Sequence, residues 1–272
     1  MESSEAAKDQ DLLEKLKSIK STVRRNFQDM VNLLTSVISL SSPYLGGHLR
    51  RVAETGKAMA DLIEIPKEES YGVYYAGLLH DIGLLGLPES LLTTPGGLNT
   101  EEAAETYRTH SQTAADIVNT VYDLRRVGGL IRSHHEDYNG QGFPDGLKGK
   151  DISPGARILR IVNDYDRYLY VDGLSVSQTM DTLFSGGGQL YDPEILERFG
   201  SYIRSQGLAE QGETREITAA ELREGQFLHT DLFLKNGMIL MPRGVSLNST
   251  KMAKIHSFSS LIAPHQKIVV TG

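Results

Sequence analysis

The chain contains no cysteine among its 272 residues. Disulfides and thiolate metal sites are therefore excluded, and any metal must be held by imidazole, carboxylate or amide groups. This fits a reducing compartment, and a cytoplasmic location is the expectation. No apolar run approaches the roughly 20 residues of a membrane span, so a soluble protein without a membrane partner is expected. Long blocks of Lys or Arg are missing too, and the formal net charge of -7 and pI of about 5.6 argue against a nucleic-acid partner. A phosphate-bearing ligand would need local cations or metals. Tandem repeats and low-complexity segments are absent. What is present is 39% hydrophobic residues, enough for a sizeable core in one large domain with a smaller one attached.

From Leu12 onward, Leu12, Leu16, Ile19, Val23, Phe27, Met30, Leu34 and Val37 recur at steps of three and four, the seam of a long helix ending near "SLSSPY". Such a helix either packs on its own domain or serves as a dimerising or signal-transmitting element. Further helices are expected through "GHLRRVAETGKAMADLI", "ESYGVYYAGLLHDI", "EEAAETYRTHSQTAADIVNTVY", "LRRVGGLIRSHHE" and "ARILRIVNDYDRYLY". Asn99 with Glu102 resembles a capping box that opens the third of these. Pro88 and "TTPGGL" interrupt the pattern, and "NGQGFPDGLKGKDISPG" is a glycine-rich loop. After about residue 215 apolar and polar residues alternate on both sides of Asn236-Gly237, a hairpin signal. A helix over Ser249 to Phe258 and a last strand in "QKIVV" complete a compact α+β appendage. The expected organisation is an N-terminal helix (1–43), a mainly α domain (44–215) and a small β-rich unit (216–272).

Of eight histidines, five fall between residues 48 and 135: His48, His80, His110, His134 and His135. The remaining three, His229, His256 and His265, lie in the C-terminal unit. A lone core histidine is usually just hydrogen-bonded, but five of them with Asp81 point to metal ligation by iron, manganese, zinc or nickel. Asp81 is the natural bridge, because a carboxylate can span two ions and an imidazole cannot. Neighbours such as His80-Asp81 and His134-His135 diverge by about 100° on a helix, which suits a cavity enclosed by several helices.

The ordered elements "HLRRV", "LLHDIG", "TH" and "SHHEDYNGQGFPDGLKGKDISPGARIL" resemble the HD-GYP family, the bacterial branch of the HD metal-dependent phosphohydrolases, over roughly residues 44 to 200. The resemblance implies a helical HD-GYP bundle, hydrolysis of cyclic di-GMP or a related phosphodiester, and divalent ions, iron or manganese. His48, His80, Asp81, His110, His134 and His135 would be the ligands, with Asp81 central to catalysis. It also implies an upstream receiver or sensor domain, as in response regulators of two-component systems, and a protein partner or homodimer through the N-terminal helix. Arg51, one turn from His48, could meet a phosphate or could be an exposed helix cation. Phe143 and Lys148 are further candidates for substrate contact.

Several positions depart from the family pattern. Leu84 stands where a lysine would touch phosphate. Gly142-Phe143-Pro144 keeps the ring of Gly-Tyr-Pro and loses the hydroxyl. Asn163 occupies the place of the last aspartate ligand with Asp164 beside it, so either one could serve. Tyr44 replaces the acidic residue of a third metal, which limits the ions to two. "LYVDGLSVSQTM" contains no Lys or Arg where the family grips its nucleotide. Two readings follow. One is a metal-binding output module of bacterial signalling in which hydrolysis is weak or lost, and the other is an active two-metal phosphodiesterase. The C-terminal unit reads as a packing or interaction appendage.

Overall fold

A computed structural model describes residues 2–41, 43–87, 100–206, 214–241, 243, 245 and 247–271. Asn99, Pro88 and the "TTPGGL" segment lie outside these residues, as do the side chains of Leu12, Val23 and Tyr44. The elements follow as α1 (Glu2–Ser41), α2 (Pro43–Leu62), α3 (Lys67–Leu79), a 3-10 turn (Ile82–Gly86) and α4 (Glu101–Asn119). Next come α5 (Arg125–Arg132), α6 (Pro154–Tyr170), α7 (Val176–Ser185) and α8 (Pro193–Ser205). The C-terminal part adds β1 (Arg215–Ile217), β2 (Phe227–Leu228), β3 (Leu232–Phe233), β4 (Ile239–Met241), α9 (Ser249–Ser257) and β5 (Ile268–Thr271). The fold is mainly α with a small α+β appendage, as the periodicity requires.

Local chemistry sets the helix ends. The cap of α4 is Thr100 rather than Asn99, its Oγ1 accepting from Ala103 N at 3.1 Å. Ser153 caps α6 with Pro154 at its first position, and Asp192 caps α8 through Glu194 and Ile195 N–H groups. In the C-terminal part β5 lies between β1 and β2, antiparallel to both, and β3 pairs with β4 across Asn236-Gly237, where Gly237 has φ +84°. The main helical core joins Val52, Met59, Val73, Leu78, Ile131, Ile158, Leu159 and Phe199. A separate core joins Leu228, Leu232, Leu247, Ile255, Ile268 and Val270.

The seam of α1 divides into two faces. Phe27 turns inward and meets Tyr75 edge-on at 4.9 Å, with Val31, Thr35 and Ile38 buried on the same side. Leu16, Ile19, Met30, Leu33, Leu34 and Val37 stay exposed, Leu33 the most at 65%. A helix of 40 residues therefore carries more apolar surface than its own domain covers.

Helices α2 and α3 approach closely at Gly77, where an added Cβ would lie 2.5 Å from Ala53 Cα. Relief there requires backbone displacement. Gly77→Ala is expected to lower unfolding stability by about 2 kcal/mol with an unchanged denaturant slope, as measured by urea titration.

Candidate metal centre

The site is built where helices stop. Helix α3 ends at Leu79, so His80 and Asp81 lie in the turn beyond it, and α5 ends at Arg132, three residues before His135. Both doublets thus lie at helix ends, and the expected divergence of about 100° around a helix is corrected here. The turns let consecutive side chains converge, and the rings of His134 and His135 lie 4.1 Å apart. His48 comes from α2 and His110 from α4. Gly83 allows α4 to close on the turn after Asp81: a Cβ there would lie 2.2 Å from His110 O.

Each ring is locked by its other nitrogen. Nδ1 of His80 lies 3.0 Å from Gly77 O, that of His110 2.6 Å from Tyr107 O, and that of His134 2.5 Å from Ile131 O. A carbonyl only accepts, so these three Nδ1 atoms carry the proton and the Nε2 lone pairs point inward. His48 does the same through a carboxylate, Nδ1 to Asp166 Oδ2 at 2.7 Å. Asp166 is in turn held by Arg51, Nε to Oδ1 at 2.5 Å and Nη2 to Oδ2 at 2.9 Å. Such carboxylate and carbonyl partners orient metal-binding imidazoles.

The inward nitrogens face one another. His48 Nε2 and His80 Nε2 are 3.2 Å apart, and His110 Nε2 and His134 Nε2 3.4 Å. Asp81 Oδ2 lies 3.5 Å from His48 Nε2 and 3.4 Å from His80 Nε2, whereas Oδ1 lies 3.4 Å from His110 Nε2. Two clusters result, His48–His80–Asp81 and His110–His134–His135, all buried, with the Asp81 carboxylate between them. Ligand bonds of about 2.1 Å place neighbouring ligand atoms about 3.0 to 3.4 Å apart, so the spacing suits divalent ions. His135 Nε2 is buried with no hydrogen-bond partner, an orphan that an ion would satisfy.

The electrostatics agree. Burial opposes charge on His48, but Asp166 and then Asp81 push it up to about 9. Burial and neighbouring imidazoles push His134 and His135 well below the usual histidine range, and burial lowers His80. Asp81 is held ionised by the surrounding imidazoles despite its burial. Asp166 is held down to about 2 against burial, by Arg51 first and His48 second.

The remaining expected residues are placed as follows. Asn163 is buried one turn before Asp166 on α6. The Asp164 carboxylate is taken by Arg160 and by Tyr191 Oη at 2.6 Å, and it belongs to neither cluster. Arg51 is buried against Asp166 rather than exposed. Leu84 is buried and packs with Ile38, Leu45 and Leu49 at the position of the family's lysine. Phe143 stacks on His135 at 4.7 Å and lines a cleft of about 420 Å³ with Arg108, His135, Asp137, Gln141, Gly142 and Arg160. Lys148 is not among the residues lining it. Glu136 shapes the loop, accepting from Asp145 N at 2.7 Å and Leu147 N at 3.0 Å. At Gly142 a Cβ would lie 2.1 Å from Asp137 N, so only glycine fits. His229 bonds Thr271 in the C-terminal unit, outside both clusters.

Asp166, Arg108 and Arg160 were not anticipated from the sequence. Asp166 had a signal, since it lies three residues after Asn163 on the same helix face.

The HD domain family matches residues 32–195, more than half of the chain. The chain belongs to the HD-domain family. It is 28% identical over 192 residues to the cyclic di-GMP phosphodiesterase response regulator RpfG of Xanthomonas campestris, covering 68% of this chain and 50% of that protein. It is 27% identical over 251 residues to a cyclic di-GMP phosphodiesterase of Pseudomonas aeruginosa, covering 89% and 55%. To the 3'3'-cGAMP-specific phosphodiesterase 2 of Vibrio cholerae it is 29% identical over 181 residues, covering 64% and 34%. This HD-domain chain thus spans between a third and just over half of these relatives' lengths. Bd1817, an HDG"Y"P protein of Bdellovibrio bacteriovorus, shares the fold with a TM-score of 0.51 at 23% identity, over 58% of this chain and 51% of that one. HD-domain phosphohydrolases bind divalent metals, and the two clusters supply a donor set that fits them. Among the described residues no helix is long and apolar enough to cross a membrane.

A raised His48 stabilises the fold fully below its unfolded value near 6.5, and that contribution is lost as pH rises through 9. Depressed His134 and His135 act oppositely: the unfolded chain binds their protons better, so stability falls as pH drops below about 6.5. Chelator-treated protein is therefore expected to melt highest near pH 6.5. Added Mn2+ should abolish the decline toward pH 9, since a ligated His48 has no proton to lose, and a melting series over pH 5 to 9 measures both effects.

Proposed function

We propose that this HD domain hydrolyses a phosphodiester of the cyclic dinucleotide class, using up to two divalent ions, iron or manganese. The reading is carried by Asp81, whose two oxygens address the two histidine clusters. When bound, the ions activate water and offset charge on the phosphoryl oxygens. The chain's own residues hold the six donors rigid, each of His48, His80, His110 and His134 with its proton on the outer nitrogen. Arg108 and Arg160 line the cleft beside His135, each already paired with carboxylates and so adding only a weak contact for a phosphate there, while Phe143 offers an apolar wall. Three relatives named as cyclic di-GMP or cGAMP phosphodiesterases support this substrate class.

A second reading, a metal-stabilised output module with little hydrolysis, is favoured by Leu84 in its apolar cluster and by the commitment of Asp164 to Arg160 and Tyr191. An upstream receiver in a cytoplasmic two-component protein would be in keeping with the response-regulator relative. A second copy of this chain fits the outer face of α1. Leu16, Ile19, Asn26, Met30, Leu33 and Val37 are exposed there and follow heptad spacing, Asn26 being the one polar position. Six exposed apolar side chains on that helix present on the order of 600 Å² per copy, and pairing would bury on the order of 1,200 Å², the lower range of stable interfaces.

Anaerobically purified protein loaded with Mn2+ or Fe2+ is expected to open cyclic di-GMP or 3'3'-cGAMP, read by product chromatography. Asp81→Ala should reduce turnover by about a hundredfold or more together with metal content. Arg108→Ala, which loses only a half-exposed cation, should raise KM by about fivefold with kcat little changed, the scale of one exposed charge contact of about 1 kcal/mol. Two bound ions per chain with no cleavage of either substrate would favour the output module.

Sedimentation of wild-type protein should show a dimer, and Leu33→Glu with Val37→Glu a monomer of unchanged helical content. A monomeric wild type would refute the pairing.

A further inference from the structure

Helix α6 ends at Tyr170, where the last carbonyls have no partner within the helix. The C-terminal unit supplies one: Arg243 Nη2 donates to Tyr170 O at 3.2 Å. The same guanidinium lies 5.4 Å from the centre of the Tyr170 ring, and that of Arg51 lies 4.0 Å from it. Arg51 grips Asp166 with two hydrogen bonds, and Asp166 holds His48 Nδ1. A continuous path of contacts thus joins the C-terminal unit to a metal ligand, through Arg243, Tyr170, Arg51, Asp166 and His48.

Arg243 is itself fixed. Its backbone N–H donates to Asp231 Oδ1 at 2.7 Å, and Asp231 O accepts from Gln266 Nε2 at 2.5 Å. Its Nε is buried with no hydrogen-bond partner. An aliphatic residue would avoid that cost, so the cation is held here for the ring and the helix end. The His110–His134–His135 cluster depends on different supports, with His110 and His134 bonded to the carbonyls of Tyr107 in α4 and Ile131 in α5.

We propose that Arg243 is a positioning residue for the metal centre, and that the C-terminal unit clamps Tyr170 over Arg51 and so fixes the Asp166–His48 pair. The inference rests on the metal-centre reading above. It makes the appendage selective: it supports the His48–His80–Asp81 half and leaves the other half alone. Orienting partners of metal-bound histidines commonly change affinity by ten- to a hundredfold. Arg243 acts two contacts further out, so an effect nearer the lower bound is expected.

The test is Co2+ titration of the full chain against a chromogenic chelator, following the visible Co2+ spectrum. Wild type should show two steps, one of which His48→Ala abolishes. Arg243→Ala is expected to weaken that step by about tenfold and alter its spectrum, with the other step unchanged. Arg243→Lys, which keeps the cation, should restore much of it. Lys267→Ala, on an exposed residue of the same unit paired with Glu216, should match wild type. Tyr170→Leu keeps Arg243 but removes the ring, and should reproduce the selective loss even where Arg243→Ala folds poorly.

Two steps unchanged in both Arg243→Ala and Tyr170→Leu would overturn the clamp while leaving the metal centre standing. Equal weakening of both steps with a lowered melting temperature would also overturn it, since that is general destabilisation. A wild-type chain that takes up no Co2+ would overturn the centre itself and the clamp with it.

Discussion

Nitrogen lone pairs pointed at one another and at a carboxylate are the constraint on which this structure turns. Four histidines are fixed with the proton on Nδ1, and their Nε2 atoms converge to 3.2–3.4 Å within each cluster, beside Asp81. Buried lone pairs and a buried carboxylate at these distances repel unless a cation stands among them. A proton can meet this demand at His48, which two carboxylates favour. It cannot do so at His134 and His135, where burial and imidazole neighbours disfavour charge. A divalent ion satisfies both halves, because it brings charge without requiring any ligand nitrogen to give up its lone pair to a proton.

The architecture follows from holding that convergence. Helices α3 and α5 must stop just before their ligands, because the turn geometry brings His80 with Asp81, and His134 with His135, to a common point. Glycines sit where backbone meets backbone: Gly83 under His110 O, and Gly142 against the His135–Asp137 backbone. The two halves are held differently. His110 and His134 hang on backbone carbonyls of α4 and α5, as His80 does on one of α3, supports that need no side chain. His48 lies within α2 and depends on Asp166, which is positioned by Arg51 from one turn further along α2.

Much of this was legible in the residues, for physical reasons that can be named. Helical periodicity, the Asn236-Gly237 hairpin and the gathering of five histidines with Asp81 in two buried clusters all depend on local pattern or on residue types with little other use in a core. What failed depends on orientation. The helix period extends through "LLHDIG" as readily as it stops there, so the turn at His80 had no local signature. Phe27 and Leu34 match the α1 seam in spacing, yet tertiary packing took Phe27 inward and left Leu33 most exposed. Asp164 and Asp166 are chemically identical. Only the rotation of α6 decides that Asp164 meets Arg160 and Tyr191 while Asp166 meets His48. Arg51 as an exposed cation was a reasonable reading from sequence for the same reason: its partner Asp166 is distant in the chain, and that partner is what buries it.

The distribution of charge around the cleft bears on how the proposed activity would be governed. Arg160 is already engaged by Asp137 and Asp164, and Arg108 by Glu101 and Glu105 on its own helix. Position 84, where the family keeps a cation, is sealed in an apolar cluster. Among the described residues lining the cleft, little uncompensated positive charge therefore faces a phosphate. On the proposed function, most of the attraction for a dianionic cyclic dinucleotide must come from the ions, so loading the centre and binding the substrate become one linked equilibrium rather than two independent ones. A device that tunes the affinity of one ion, as the C-terminal unit is placed to do through His48, would then tune substrate binding without touching the cleft.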